Sequence, residues 1–147
     1  MSYTYYFVYG SNLNLKQMKA SRPYYRYTIN FILDDYRLIF RSAADIERHL
    51  NSKVEGIIFL FSDEYERNLG KYERVPNIYR KEYFKCKIDN NDECVLYYKM
   101  NSEGVGRPTN RYYKAIYDSY LQNNLKISLL KDALRYSLYN KKEPIFF

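Results

Sequence analysis

The N-terminal segment constrains the fold of this chain more than any other stretch. An aromatic and β-branched run, residues 5–9, stops at Gly10, and good helix formers follow from Leu15. Aromatic and β-branched residues favour strands, and glycine adopts backbone angles that other residues avoid. We therefore predict a strand at residues 4–9, a tight turn, and a helix at residues 15–20. Backbone N–H groups at the start of that helix suit an anionic oxygen, although the pattern alone is more typical of an ordinary turn.

The apolar pattern further along the chain predicts a sheet followed by helices. Strands are expected at residues 25–33, 36–41 and 54–61, and in a hairpin of residues 79–88 and 94–100. Asp34-Asp35 is expected to separate the first two, and residues 41–52 have no clear period and are expected to be irregular. Helices are expected from Ser62, at residues 109–123 and at residues 128–139. Without a linker or repeat, the length of 147 residues predicts one α+β domain spanning residues 1–147.

The chain is basic, with a formal net charge of +7. A basic surface attracts nucleic acid or small anions. Lysine and arginine are nevertheless spread along the sequence, and the alternation of tyrosine and arginine at residues 24–27 is more typical of a strand with one solvated face than of a base-stacking platform. Nucleic-acid binding is therefore a minor alternative.

Targeting segments and bilayer-length apolar stretches are not visible, so the cytoplasm is the expected location. Cys86 and Cys94 are too few for a disulfide framework and lack the spacing of a metal site. They flank the proposed hairpin turn, and the sequence leaves open whether they share a face. His49 is the only histidine. It lies in a polar stretch, so we expect a surface residue rather than part of a catalytic triad or a metal site.

An ordered set of short motifs resembles the gamma-glutamylcyclotransferase (AIG2-like) family. The set comprises Tyr9-Gly10-Ser11-Asn12-Leu13, Arg22-Pro23, Val54-Glu55-Gly56-Ile57-Ile58-Phe59, Tyr72-Glu73-Arg74-Val75-Pro76, Tyr79-Arg80 and Pro108-Thr109-Asn110-Arg111-Tyr112. Each motif is weak alone, but together they keep the family's order and span most of the chain. The resemblance implies an α+β fold built as a small mixed β-barrel with flanking helices.

The resemblance also implies a reaction. In this family the substrate's own α-amine attacks its γ-glutamyl carbonyl, which releases 5-oxoproline and a free amine. Because the nucleophile is tethered, correct folding of the substrate supplies much of the rate, with effective molarities on the order of 10⁵–10⁸ M for well-oriented reactions. The protein must add a base, an acid and donors for the oxyanion. Neither a metal nor an organic cofactor is required.

Glu73 matches the family's catalytic glutamate and would act as general acid and base. That role needs a pKa raised by burial, for which Tyr72 and Val75 make a plausible setting. Gly10 and its neighbours would hold the α-carboxylate or the oxyanion, and the hydroxyl of Tyr112 would orient the substrate or Glu73. A core tyrosine with a hydrogen-bonded hydroxyl is an equal alternative for Tyr112. The implied substrate-binding residues are Tyr9, Gly10, Ser11, Asn12, Leu13, Tyr79 and Tyr112.

Two positions depart from the family pattern. Arg74 stands where the family commonly has glycine, and a guanidinium near Glu73 would lower the pKa of that carboxyl. Thr109 stands where the family has serine, and it keeps a hydroxyl that can cap a helix. Arg74 and the excess positive charge motivate an alternative, a non-catalytic member that binds or sequesters a small anionic ligand. The sequence pattern does not identify the leaving amine or the oligomeric state.

Overall fold

The computed structural model describes residues 2–10, 25–63, 77–139 and 145–146. Seven strands and two helices lie within these residues. They are β1 (Tyr3–Val8), β2 (Tyr25–Arg41), β3 (Ala43–Ser62), β4 (Tyr79–Ile88), β5 (Asn91–Met100), β6 (Ser102–Glu103), α1 (Asn110–Gln122), α2 (Ile127–Tyr139) and β7 (Ile145–Phe146).

The main sheet is mixed and contains β1 to β5 in the order β2-β3-β1-β5-β4. The central strand β1 runs antiparallel to β3 and parallel to β5. The remaining neighbours, β2 with β3 and β4 with β5, are antiparallel. Strands β6 and β7 form a small separate ladder. The expected α+β class is confirmed.

Aromatic contacts bring the two edges of the main sheet together. The ring of Phe31 on edge strand β2 stacks on the ring of Phe84 on edge strand β4, with centroids 5.8 Å apart. Phe7 of β1 contacts both rings edge-on at 6.0 and 5.8 Å. The described strands do not close into a continuous hydrogen-bonded barrel, yet the sheet curls enough for its edge strands to share one core. This arrangement agrees with the barrel-like shape that the resemblance implies.

The β2–β3 ribbon differs from the prediction in two places. Asp34-Asp35 does not end a strand, because β2 continues through a register shift beside Asp35, whose φ is 62°. The expected irregular connection at residues 41–52 is wrong, since β3 begins at Ala43 and pairs with β2 along this stretch. The two-residue period of a strand is not visible in this part of the sequence. Ala44, Asp45 and Ile46 are all buried, so apolar and polar residues do not alternate there.

The other elements follow the sequence prediction more closely. Strand β4 has the predicted bounds, β5 begins earlier than predicted, at Asn91, and α2 covers the predicted helix. Helix α1 begins after Thr109 and ends before Asn123, which are its two cap residues. The helix expected at residues 15–20 lies outside the described residues. So does the helix expected from Ser62, except for its first residues: Ser62 belongs to β3, and Asp63 alone is described as helical.

The cysteines and the histidine are placed as follows. Both cysteines are free thiols. Cys86 pairs in register with Glu93, the neighbour of Cys94, so the two cysteines point to opposite faces of the hairpin. This settles the question of a shared face. His49 is exposed, as expected, and shares a hydrogen bond of 2.6 Å with Ser52 Oγ.

Two surface features complete the fold. Lys81, Lys85 and Lys87 are exposed on edge strand β4, where charged side chains discourage pairing with another chain. Neither described helix combines the length and apolar character that a membrane crossing needs.

Gly56 of β3 is a position where the fold tolerates no side chain. A Cβ built on Gly56 would overlap the backbone oxygen of Val8 and lie 2.8 Å from ring atoms of Phe7. Phe7 is fully buried, so the ring has nowhere to move. We expect Gly56→Ala to lower the free energy of unfolding by about 2 kcal/mol or more, as overpacked cores do. Urea denaturation measures the change.

The control for this substitution is Leu50→Ala in the same strand. Leu50 is 75% exposed, and surface substitutions usually change stability by no more than about 0.5 kcal/mol. Equal stability of Gly56→Ala and the wild type would contradict the close packing of β3 against β1.

Candidate active site

The end of β1 meets β3 and α1 at Gly10. A Cβ built on Gly10 would lie 3.3 Å from Cβ of Ala44 and 4.0 Å from the hydroxyl oxygen of Tyr112. Since 3.3 Å is tighter than ordinary van der Waals contact, a larger residue at either position would push the backbones apart. The contact therefore favours small residues at both positions.

The backbone of Ala44 is held by two of the predicted site residues. Its N–H donates to the hydroxyl oxygen of Tyr112 at 3.0 Å. Its carbonyl accepts from the hydroxyl of Tyr79 at 3.2 Å. The first residue of β4 and the first turn of α1 therefore converge on one peptide segment of β3, next to Gly10.

Local structure explains how Tyr112 reaches this point. Thr109 caps α1, and its Oγ accepts a hydrogen bond of 3.2 Å from the backbone N–H of Tyr112. This is the capping role that the sequence predicts for the threonine. The Tyr112 ring packs edge-on against Phe40, with centroids 6.5 Å apart. A capped first turn and a partly buried ring fix the direction in which the hydroxyl points.

Tyr9 supports the end of β1 from within the core. Its ring is buried, and its hydroxyl donates to the backbone carbonyl of Tyr98 in β5. The Tyr9 side chain thus lies in the core, and its role in substrate binding stays a prediction. Of the predicted site residues, the structure brings together Gly10, Tyr79 and Tyr112. Glu73, Ser11, Asn12 and Leu13 lie outside the described residues, as does Arg74, and their roles stay predictions.

A buried ionic cluster adjoins Ala44, and the sequence reasoning missed it. Asp45 is 0% exposed and accepts hydrogen bonds from Arg41 Nε at 2.8 Å, Lys99 Nζ at 3.2 Å and the backbone N–H of Met100 at 3.1 Å. The acceptor capacity of the carboxylate is well used, as a buried charge requires. The sequence feature that could have indicated this cluster is the presence of charged residues next to the apolar Ala44 and Ile46.

Glu47 extends this cluster toward the surface. Its carboxylate pairs with Arg37 Nη2 at 2.6 Å and with Arg41 Nη2 at 2.7 Å. Burial opposes ionisation of Glu47, but the hydrogen bonds and charges of the two guanidinium groups outweigh it, so the pKa of the carboxyl is lowered. Arg41 thereby bridges Asp45 and Glu47. Within the described residues, no group of histidine, cysteine, aspartate and glutamate could hold a metal ion.

The lowered pKa of Glu47 predicts how stability depends on pH. Because the folded pKa lies below the ordinary value of 4.5, ionised Glu47 stabilises the fold above that pH, and the contribution is lost as pH falls through the folded pKa. We expect Glu47→Gln to be less stable than the wild type at pH 7, with the gap closing below about pH 4.5. Urea denaturation across this pH range measures the gap, and a constant gap would contradict the ion pairs.

Comparisons with known structures extend these observations. A solved structure described as a gamma-glutamyl cyclotransferase is 19% identical, with a TM-score of 0.76, and the match covers 90% of this chain and 86% of that one. A human protein, solved as an uncharacterised protein, is 19% identical, with a TM-score of 0.72 over 90% of this chain and 87% of its own. At these identities the matches show the shared fold.

YkqA from Bacillus subtilis is a longer protein with a similar fold. It is 19% identical, with a TM-score of 0.77, and the match covers 97% of this chain but 56% of YkqA. A search of curated protein sequences found no match. The family model "Gamma-glutamyl cyclotransferase, AIG2-like" matches residues 6–119, a range that contains Gly10, Tyr79 and Tyr112. The chain belongs to the AIG2-like gamma-glutamyl cyclotransferase family.

Proposed function

We propose that this protein cyclises the γ-glutamyl group of a small amide or peptide to 5-oxoproline and releases the free amine. The observation that carries the proposal is the convergence of the Tyr79 and Tyr112 hydroxyls on the backbone of Ala44, beside Gly10. Family membership supports the reaction class. The site would need neither a metal nor an organic cofactor, because the nucleophile and the electrophile belong to the same substrate molecule.

The proposed roles divide between the turn after β1 and the tyrosines. Backbone N–H groups of Gly10, Ser11 and Asn12 would hold the α-carboxylate or the oxyanion, with Leu13 completing the turn. Gly10 suits this role because the absence of a side chain lets a substrate approach the backbone closely. Tyr79 and Tyr112 would border the substrate with hydroxyl groups. Their positions are fixed by Ala44, so they would orient the substrate without rearranging.

Glu73 would move the protons. It would accept one from the α-ammonium group, which frees the amine for attack on the γ-carbonyl, and deliver one to the departing nitrogen. These transfers require a carboxyl group whose pKa lies near neutrality. A γ-glutamyl substrate carries an α-carboxylate, and the net charge of +7 would favour its approach.

The decisive measurement is release of 5-oxoproline from a panel of γ-glutamyl compounds, including γ-glutamyl dipeptides and γ-glutamyl-lysine amides. We expect turnover by the wild type and a loss of about 10²–10⁴-fold in kcat for Glu73→Gln, the usual contribution of general acid–base catalysis. Glu93→Gln is the matched control, since Glu93 lies near the turn of the β4–β5 hairpin. The best substrate would define the amine that leaves.

Other outcomes would reject the assignment. Equal activity of Glu73→Gln and the wild type would remove Glu73 from the proton transfers. If folded protein released no 5-oxoproline from any compound of the panel, the cyclotransferase activity would be rejected. If a γ-glutamyl compound then bound tightly to both the wild type and Glu73→Gln, the protein would be a non-catalytic member that sequesters its ligand, as Arg74 and the basic charge suggest.

The tyrosine hydroxyls make a second prediction. Tyr112→Phe removes the acceptor for the Ala44 N–H, and we expect kcat/KM to fall about tenfold, which corresponds to the loss of one hydrogen bond. Tyr117→Phe, on the same helix, is the control and should retain activity. Steady-state kinetics measures both variants, and thermal unfolding shows whether each is folded. Wild-type kinetics for Tyr112→Phe would exclude its hydroxyl from the site.

A further inference from the structure

A polar cavity of about 430 Å³ lies beside the buried ionic cluster and outside the candidate active site. Its lining includes Arg41, Glu47, Arg80, Lys99, Asn101 and Ser102. Arg80 follows Tyr79 in β4, and Arg41 contacts Asp45, which follows Ala44 in β3. Since successive strand residues point to opposite faces of a sheet, the side chain of Arg80, which lines the cavity, lies on the opposite face of β4 from that of Tyr79.

The cationic side chains around the cavity have more N–H donors than their hydrogen bonds use. Arg80 uses Nε for Glu82 at 2.8 Å and Nη1 for Met100 O and Asn101 Oδ1 at 3.2 and 3.1 Å. Its Nη2 group is used in none of these hydrogen bonds. Lys99 Nζ donates to Asp45 Oδ2 and to the carbonyl of Ile46, which leaves its third N–H available. These donors border the same space.

The nearby acceptors are largely occupied. Glu47 uses both carboxylate oxygens, one for Arg37 and the other for Arg41. Asp45 uses both of its oxygens for Arg41, Lys99 and the Met100 N–H. Glu103 also lines the cavity, but it is exposed to solvent, which screens its charge. The cavity therefore offers more hydrogen-bond donors than acceptors.

Ser102 gives an independent indication that the cavity accepts a polar ligand. The residue is 3% exposed, and its hydroxyl oxygen is buried with no hydrogen-bond partner in the part of the chain that the structure describes. An unsatisfied buried hydroxyl costs about 1–3 kcal/mol, so such groups usually have a partner. Because Ser102 lines the cavity, its hydroxyl would reach an oxygen atom of a bound anion by turning about its side-chain bond, and it would then donate a hydrogen bond to that oxygen.

We propose that this cavity binds a small oxyanion, through phosphate or carboxylate oxygens. Arg80, Lys99 and the Ser102 hydroxyl supply the donors, and buried Arg41 supplies a fixed positive charge at the wall. The ligand shares the cations of the cluster that surrounds Asp45 without touching Tyr79, Tyr112 or Gly10. This site is distinct from the proposed γ-glutamyl site, and its existence does not depend on turnover.

The experiment titrates the full chain with inorganic phosphate and, separately, with acetate, at constant ionic strength set by sodium chloride. Backbone ¹H–¹⁵N NMR shifts locate and quantify binding. We expect saturable shifts of the amides of residues 99–104. Ser102→Ala should weaken binding about fivefold and Arg80→Ala about tenfold, the effects of losing one neutral and one charged hydrogen-bond donor. Both variants should still fold, because one removes an unsatisfied hydroxyl and the other a partly exposed side chain.

Two control variants sharpen the test. Arg135→Ala removes another partly exposed arginine that pairs with a neighbouring carboxylate, as Arg80 does. Tyr112→Phe alters the candidate active site instead. Both should bind the anion as the wild type does. Binding of phosphate alone would assign the cavity to phosphoryl groups, binding of acetate alone to carboxylates, and binding of both to oxyanions generally.

Three results would overturn the proposal. They are the absence of saturable shifts with either anion, wild-type affinity in both Ser102→Ala and Arg80→Ala, and shifts confined to the surroundings of Gly10 and Tyr112. The last result would place the anion in the candidate active site. None of these results depends on 5-oxoproline release, so failure here and failure of the proposed activity are distinguishable.

Discussion

The buried carboxylate of Asp45 is the interaction on which the site geometry depends. It joins Arg41 at the end of β2 to Lys99 and Met100 at the end of β5, although β2 and β5 are not neighbours in the sheet. Removing such a charge from water is expensive, and its partners must hold their geometry to offset the cost. Loss of one partner would remove part of the compensation for the buried charge, so the strand ends are fixed relative to one another.

The same constraint reaches the tyrosines through a closed cycle of contacts. Asp45 binds the backbone of Met100, Met100 pairs in register with Tyr79, and the hydroxyl of Tyr79 returns to the carbonyl of Ala44, the residue before Asp45. Tyr112 joins the cycle at the Ala44 N–H. A shift of any member would strain the others. The proposed catalytic arrangement thus receives its rigidity from an ionic cluster that the substrate would not contact, as preorganised sites require.

Sequence reasoning succeeded where the signals are local. The bounds of β4 follow from its own composition, and those of α1 from the Thr109 cap and the preceding proline, so Tyr112 could be placed on the first helical turn. The reasoning failed at the start of β3, where burial of Asp45 beside Ala44 removes the alternation that marks a strand. Nothing near Asp45 in the sequence indicates Lys99, because that pairing depends on sheet register across a separation of 54 residues. Family motifs supplied the site residues instead, and Glu73 stays a prediction.

The contacts of Ala44 and Asp45 differ in charge, and this difference would help a basic protein to keep the proposed proton-transferring carboxyl group effective. Cations within a few ångströms of such a group would lower its pKa and weaken it as a base. Around Ala44 the structure supplies neutral hydroxyl groups, whereas around Asp45 it gathers Arg41 and Lys99. The hydroxyl groups bind the backbone of Ala44, whereas the cations bind the side-chain carboxylate of Asp45. The ionic cluster can therefore stabilise the site while the charges of its cations are paired with Asp45 and Glu47.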